Sequence, residues 1–200
     1  MDQQARALLL VTSRLLEYPD IDLDNLQKEI TDYGKEHFTS PELQEEVELA
    51  ITSLQNEKLS DVQMLYVQTF DLKSKHGLYL TAHELGDSNK RGAALIKLQK
   101  IINKAGFDRI DDELADYIPM LLEFLAVSDD SNDNERMCKR LGVALSRILR
   151  FLPSENLYHP VLSLLMKYVF PNPTKEDVEK LEFDREEADL EELPYPIMYH

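Results

Sequence analysis

Apolar residues recur every three to four positions along most of the chain, which is the spacing of one face of an α-helix. The first such segment covers residues 3–17, and a second runs from Leu23 to Lys35. A third begins at Ser40 and Pro41, where a hydroxyl N-cap precedes a proline at the first helical position. The pattern therefore predicts three helices before residue 56.

The same periodicity returns after residue 89 and predicts further helices over residues 90–105, 135–151 and 155–170. Gly106 follows the first of these, at the position where a left-handed C-cap belongs. No segment shows the strict alternation of a half-buried strand, and leucine outnumbers valine and isoleucine together. The chain is therefore predicted to be all-α, a compact single-domain bundle of about eight or nine helices.

One more helix is expected between Gly106 and Ser128. Asp111 or Asp112 would open it, and Pro119 would fall in its first turn or two, where a missing N–H costs least. Its predicted apolar face consists of Leu114, Tyr117, Ile118, Leu121, Leu122 and Leu125.

The regular helical pattern breaks between Tyr66 and Gly92, where aromatic residues, two histidines and three glycines occur together. A break of this kind inside a regular helical chain is a common place for a functional site. Within it, Gly86 is predicted to end one helix, and Asp87 or Ser88 to cap the next.

The charge balance limits the kinds of partner. Lys and Arg total 22 against 38 Asp and Glu, for a net charge of -16. Nucleic acid carries charge of the same sign, so binding to nucleic acid is not expected. No apolar run approaches membrane-spanning length, so stable membrane insertion is not expected either. We expect a cytoplasmic protein whose partners are basic or mainly apolar.

Acidic residues are concentrated at the end of the sequence. Residues 174–193 contain ten acids and three bases, which bury too little apolar surface to offset the entropy of ordering. We therefore expect a helical domain over residues 1–173 and an acidic, mobile tail over residues 174–200. A short helix near Lys175 to Leu181 is the one element expected in this tail.

Catalytic and metal sites find little support in the sequence. His76 and His83 are seven residues apart, too far to chelate one ion from a straight helix, and no His-Glu-x-x-His motif is present. Cys138, the single cysteine, has no histidine near it in the sequence, and no Gly-x-Ser-x-Gly motif occurs. We predict no metal, no cofactor and no enzymatic activity.

Recognition of an apolar partner fits the broken segment better. Tyr66, Phe70, Leu78, Tyr79 and Leu80 cannot all face one core from a single ordinary helix. Some of them are therefore expected to line a groove suited to an amphipathic partner helix. The alternative is a small-ligand module at the Gly86–Arg91 turn, in which Arg91 and Lys90 would contact the phosphate of a nucleotide or molybdopterin cofactor.

Three blocks of the sequence, taken in order, form a recognisable pattern. They are Ser13-Arg-Leu-Leu-Glu-Tyr-Pro-Asp20; Tyr66-x-x-Thr-Phe70-Asp71 with Leu78-Tyr-Leu-Thr81, His83-Glu-x-Gly-Asp-Ser88 and Arg91-Gly92-x-Ala94-Leu95; and Glu113-Leu-Ala-Asp-Tyr-Ile-Pro-Met-Leu-Leu-Glu-Phe-Leu-Ala126. Together these blocks resemble the NarJ family of assembly chaperones for respiratory nitrate reductase. One departure is Ala115, where that family usually has proline, and a helix tolerates alanine well.

The resemblance implies an all-helical, TorD-like fold and a chaperone rather than an enzyme. It also implies binding to the apo catalytic subunit of nitrate reductase, including its N-terminal segment, and support for molybdenum cofactor insertion. A monomer or weak homo-oligomer is expected. The two later blocks suggest a peptide groove with Tyr66, Phe70, Tyr79 and His83 on one side and Tyr117 and Phe124 on the other.

Overall fold

The computed structural model describes residues 1–20, 23–108 and 113–180, and within these ranges the chain is helical with short connections. The fourth helix continues directly into a π-helical segment, Val67–Asp71, and residues 175–180 are also helical. The predicted all-α class is confirmed. The helices are α1 (Gln3–Leu16), α2 (Leu23–His37), α3 (Pro41–Gln55), α4 (Leu59–Tyr66), α5 (Leu80–Leu85), α6 (Lys90–Lys104), α7 (Ile118–Val127), α8 (Asn132–Phe151) and α9 (His159–Tyr168).

Side-chain caps explain where several helices begin. The Asp2 carboxylate accepts a hydrogen bond from the backbone N–H of Ala5, 2.7 Å away, at the start of α1. The Ser40 hydroxyl accepts one from Leu43 ahead of α3, at 3.3 Å, so the start predicted at Ser40 is confirmed. Each cap satisfies one of the backbone donors that the first turn of a helix leaves unpaired.

The predicted start of α7 is wrong. Asp111 and Asp112 lie outside the described residues, but residues 113–117 are not helical and α7 begins only at Ile118. The cause is a competing set of backbone bonds, because this stretch pairs with residues 78–80 instead. Leu114, predicted to lie on the apolar face, is accordingly 41% exposed, while Leu121 is fully buried.

The core is one continuous cluster of aliphatic and aromatic side chains, in which α1 packs along α7. Polar contacts fix this packing at both ends of α7. The Ser13 hydroxyl donates to the carbonyl of Pro119 at 2.9 Å. The Arg6 guanidinium donates to the carbonyls of Ala126 and Ser128, at 2.9 and 2.6 Å. Arg6 thus satisfies carbonyl groups that the last turn of a helix leaves unpaired.

The longest helix, α8, has 20 residues and carries one apolar face. Leu141, Leu145 and Ile148 on that face are completely buried, whereas Arg136 and Lys139 lie on the exposed side. This is the pattern of a helix at the surface of a globular domain. Within the described ranges, no helix is both long enough and apolar enough to cross a membrane.

We expect opposite effects on stability from alanine at two glycines. Gly106 ends α6 with φ at 88°, so the predicted left-handed cap is confirmed, and Gly106→Ala should lower the free energy of unfolding by about 1 kcal/mol. Gly92 lies inside α6 with nothing within 4 Å of an added Cβ. Gly92→Ala should raise the free energy of unfolding by about 0.5 kcal/mol. Urea unfolding of both variants tests this, and equal effects would contradict it.

Candidate functional site

The irregular segment begins with a π-helical turn that widens the end of α4. The N–H of Leu72 donates to the carbonyl of Val67 at 3.1 Å, a bond that spans five residues instead of four. The extra residue in this turn lets Tyr66, Thr69 and Phe70 all point into the interior. Turns of this type are frequently found at functional sites.

The second and third sequence blocks meet through a short antiparallel pairing between Tyr79 and Tyr117. The N–H of Leu80 donates to the carbonyl of Asp116 at 2.9 Å, and the N–H of Ile118 donates to the carbonyl of Leu78 at 2.8 Å. These two bonds place the starts of α5 and α7 side by side. Residues nearly forty positions apart in sequence therefore form one local structure.

A buried carboxylate holds this junction together. Asp116 is fully buried, and its Oδ2 accepts hydrogen bonds from the hydroxyl of Thr81 and from the backbone N–H of Thr81, the latter at 3.1 Å. The guanidinium of Arg91 lies 3.5 Å from the same oxygen and also donates to the Thr81 hydroxyl at 3.1 Å. These contacts at Oδ2 offset part of the cost of burying the carboxylate, whereas Oδ1 has no hydrogen-bond partner among the described residues. Asp116 thus links α5, α6 and α7.

Aromatic rings surround the junction in a group that we call the tyrosine cluster, made of Tyr18, Tyr66, Phe70, Tyr79, Tyr117 and Tyr158. Tyr66 is at its centre, with ring centroids 5.5 Å from Tyr18, 5.0 Å from Phe70 and 5.9 Å from Tyr158. The rings of Tyr79 and Tyr117 are 5.6 Å apart. Edge-to-face arrangements at these distances are favourable for aromatic pairs.

The hydroxyl groups of the cluster form a short chain of hydrogen bonds. The Tyr66 and Tyr117 hydroxyls are 3.0 Å apart, and the Tyr66 hydroxyl lies 3.2 Å from the carbonyl of Leu16. Both protons find an acceptor if Tyr117 donates to Tyr66 and Tyr66 donates to Leu16. Burial raises the pKa of Tyr117 to about 12 and also raises the pKa of Tyr66, so both are neutral at physiological pH.

Carboxylates lie around the exposed edge of the tyrosine cluster. The Tyr79 hydroxyl donates to Glu113 at 3.0 Å, and burial, followed by this hydrogen bond, raises the pKa of Tyr79. Glu17 is close enough to Tyr117 to raise its pKa further. Partial burial raises the pKa of Glu17 itself, although Arg14 opposes this effect. Since Tyr18 is 46% exposed and Tyr79 and Tyr117 are partly exposed, the result is an aromatic surface with an acidic rim.

His83 is fully buried beside the cluster. Its Nε2 lies 2.6 Å from the carbonyl of Gly77, and its Nδ1 lies 3.1 Å from the guanidinium of Arg147. The carbonyl of Gly77 accepts from Nε2–H, which leaves Nδ1 to accept from the guanidinium of Arg147. Across the described residues, no group of three His, Cys, Asp or Glu side chains could hold a metal ion.

The six residues proposed for the groove differ in how far they are exposed to solvent. Tyr66, Phe70, His83 and Phe124 are buried, each at 5% exposure or less. The π-helical turn directs Tyr66 and Phe70 inward, while His83 and Phe124 lie on the buried faces of α5 and α7. Phe124 packs against Phe107 with ring centroids 5.7 Å apart. Tyr79 and Tyr117 are partly exposed and adjacent, so a partner can reach these two without rearrangement.

The Gly86–Arg91 turn is a connection between α5 and α6. Gly86 has φ at 54°, which favours glycine, and the Ser88 hydroxyl accepts a hydrogen bond from the N–H of Lys90 at 3.2 Å. Ser88 thus satisfies one backbone N–H of the first turn of α6, although the N-cap position itself is Asn89 and not Asp87 or Ser88 as predicted. Arg91, which the ligand hypothesis assigns to a phosphate group, already contacts the buried carboxylate of Asp116.

Sequence reasoning missed the polar residues that organise the site. Thr81 and Asp116 appeared only as letters within the two blocks, and Glu84 was not assigned a role. Glu84 forms a two-pronged ion pair with Arg140, with both N–O distances 2.6 Å. The presence of an acid within an otherwise apolar stretch, as at Asp116, was the available signal. Its partners could not be identified because they lie on other helices.

The amino-acid sequence of this chain is similar to those of several known proteins. A family model described as nitrate reductase delta subunit matches residues 39–155. The chain is 29% identical over 160 residues to a protein of Escherichia coli (strain K12) named nitrate reductase molybdenum cofactor assembly chaperone NarJ, covering 80% of this chain and 68% of the relative. It is also 29% identical over 114 residues to the probable NarJ chaperone of Bacillus subtilis (strain 168). That match covers 57% of this chain and 62% of the relative, less than two thirds of its length.

Proposed function

Because this chain belongs to the nitrate reductase delta subunit family, we propose that it is an assembly chaperone that binds the apo catalytic subunit of a nitrate reductase. Binding includes the N-terminal segment of that subunit, and it supports insertion of the molybdenum cofactor. The resemblance seen in the three sequence blocks is confirmed by the family match. The role is that of a binding protein and not of an enzyme, in keeping with the names of the relatives, which are assembly chaperones.

The family match over residues 39–155 is the observation that carries the proposal. This range contains both of the blocks that pair at Tyr79 and Tyr117, together with Asp116. Tyr79, Glu113 and Tyr117 of the acid-rimmed aromatic surface therefore fall within the region shared with the family, whereas Glu17 and Tyr18 precede it. The shared part of this surface is where we place a function that the relatives have in common.

The chemistry of this surface suits a segment with basic and apolar residues. Exposed faces of Tyr18, Tyr79 and Tyr117 offer apolar area, and lysine or arginine side chains bind favourably over tyrosine rings. Glu17 and Glu113 at the rim add direct charge attraction. The overall net charge of -16 speeds the encounter with a basic segment at low salt.

The small-ligand alternative is less well supported by the geometry. It needs Arg91 available for a phosphate group, and Arg91 lies 3.5 Å from the buried carboxylate of Asp116. Withdrawing this cation would leave Asp116 buried without its charged partner, which is costly. No observation on the described residues specifically favours a nucleotide or pterin at this turn.

We expect Tyr79→Ala to weaken binding of the N-terminal peptide of the catalytic subunit by about tenfold or more, because an aromatic anchor of a binding surface is lost. Tyr117→Ala should have a similar effect. Calorimetric titration measures both affinities, and circular dichroism establishes that each variant is folded.

Leu49→Ala is the matched control, because Leu49 is a 63% exposed apolar residue on α3, away from the cluster. It should bind as the unmodified protein does. If both tyrosine variants are folded and bind with unchanged affinity, this surface is not the binding site. If the unmodified protein fails to co-purify with the catalytic subunit at all, the proposed function itself is wrong.

A further inference from the structure

A second surface of the protein carries more basic than acidic side chains, although the chain as a whole is acidic. An open groove of about 710 Å³ lies between α6, α8 and residues 171–180. Its floor is apolar, formed by Leu85, Ile101, Met137 and Val143. An open groove with an apolar floor can take the apolar side chains of an extended or helical segment.

Cations predominate along the rim of this groove. Five basic side chains line it against three acids. Two of the bases have partners on the protein, since Arg140 pairs with Glu84 and Lys139 lies 3.1 Å from the Glu135 carboxylate. Lys97 and Arg136 are exposed and form no ion pair with any residue in the described ranges. The bases are Lys97, Arg136, Lys139, Arg140 and Lys180; the acids are Glu84, Asp133 and Asp177.

The described part of the chain ends beside this groove, at Lys180. Thr174 opens a helical turn, since its hydroxyl accepts from the N–H of Asp177 at 3.1 Å while the Asp177 carboxylate accepts from the N–H of Thr174 at 3.0 Å. The turn leads along one wall to Lys180, which lines the groove. The residues that follow in sequence, 181–200, contain seven acids, one arginine and several large apolar side chains.

We propose that the segment 181–200 occupies the groove between α6 and α8 of its own chain. Its acids face Lys97, Arg136 and Lys139, and its apolar residues cover the floor. The proposal rests on the charge complementarity and on the position of Lys180, and it does not depend on the proposed chaperone function.

The covalent link through Lys180 favours binding of the segment 181–200 in the groove even if each interaction is weak. Residues 182–192 lie within twelve positions of Lys180, so the extended chain spans at most about 40 Å to reach any part of the groove. A short connection of this kind gives an effective concentration on the order of millimolar. Ion pairs at an exposed rim contribute little individually, so several cations and the apolar floor must act together.

Zero-length carbodiimide cross-linking of the full chain tests the proposal, because it joins a lysine to a carboxylate only where the two are in contact. Mass spectrometry of the digested product should find Lys97 and Lys139 linked to carboxylates within residues 182–192. Lys28, exposed on α2, should show few such links. Mixing heavy-isotope and light protein separates links within one chain from links between chains.

Arg136→Glu should reduce the Lys97 links by about fivefold, because it replaces an attracting charge at the rim by a repelling one. Lys28→Glu changes the net charge equally and should leave the Lys97 links unchanged. Equal linking of Lys97 and Lys28, or equal effects of the two substitutions, would overturn the proposal. Links found only between heavy and light chains would also overturn it, since the occupant would then be a second copy.

Discussion

Asp116→Ala should lower the free energy of unfolding by about 3–5 kcal/mol, the largest single-residue effect that we expect in this protein. The substitution removes the acceptor of the Thr81 hydroxyl and backbone N–H and leaves the partly buried Arg91 guanidinium without its partner. Losing one member of a buried charged pair costs more than the pair contributes, because the remaining group stays desolvated. Urea unfolding followed by circular dichroism measures the change.

Two comparisons make this result interpretable. Asp87→Ala removes an exposed acid from the neighbouring turn and should change stability by less than about 0.5 kcal/mol. The double variant Asp116→Ala with Arg91→Ala should cost less than the sum of the two single changes, because the pair is coupled. An Asp116→Ala cost near that of Asp87→Ala would show that the carboxylate does not hold the junction.

Leu121→Ala should destabilise the protein by about 2–5 kcal/mol, because it empties a fully buried position between α7 and α1. Leu114→Ala is the matched control, since Leu114 precedes α7 and is 41% exposed. It should cost less than about 0.5 kcal/mol.

The two leucine substitutions also test whether α7 begins at Ile118, as observed, or near residue 112, as expected from the sequence. A helix running from residue 112 would place both leucines on one buried face, so both substitutions would then be costly. Thermal or urea unfolding of the two variants distinguishes these cases. Comparable losses would contradict the structure at residues 113–117.

Local patterns in the sequence were sufficient for much of the helical framework. The starts of α1 and α3 and the left-handed glycine after α6 all follow from residues within a few positions of each other. Residues 175–180 are helical, as expected for the short helix near Lys175. The division into a domain over 1–173 and a tail over 174–200 stays a prediction, because residues 181–200 lie outside the described part.

The candidate site was only partly predictable. Tyr79 and Tyr117 were identified and lie side by side, whereas Tyr66, Phe70, His83 and Phe124 were expected at a groove and are buried. The break in the helical pattern was interpreted as a way to expose aromatic residues. For Tyr66 and Phe70 the effect is the reverse, because the π-helical turn points both into the core, whereas Tyr79 is partly exposed. Peptide binding at these positions stays a prediction.

The sequence by itself determined the all-α class, most helix positions, the acidic balance and the family resemblance, since all of these depend on composition or on spacing along the chain. Tertiary structure alone decided the pairing of Tyr79 with Tyr117, the partners of Asp116 and the basic groove between α6 and α8. These features depend on which residues meet after distant segments pack. Helical periodicity shows which face of a helix is apolar, but not which side chain on another helix it will meet.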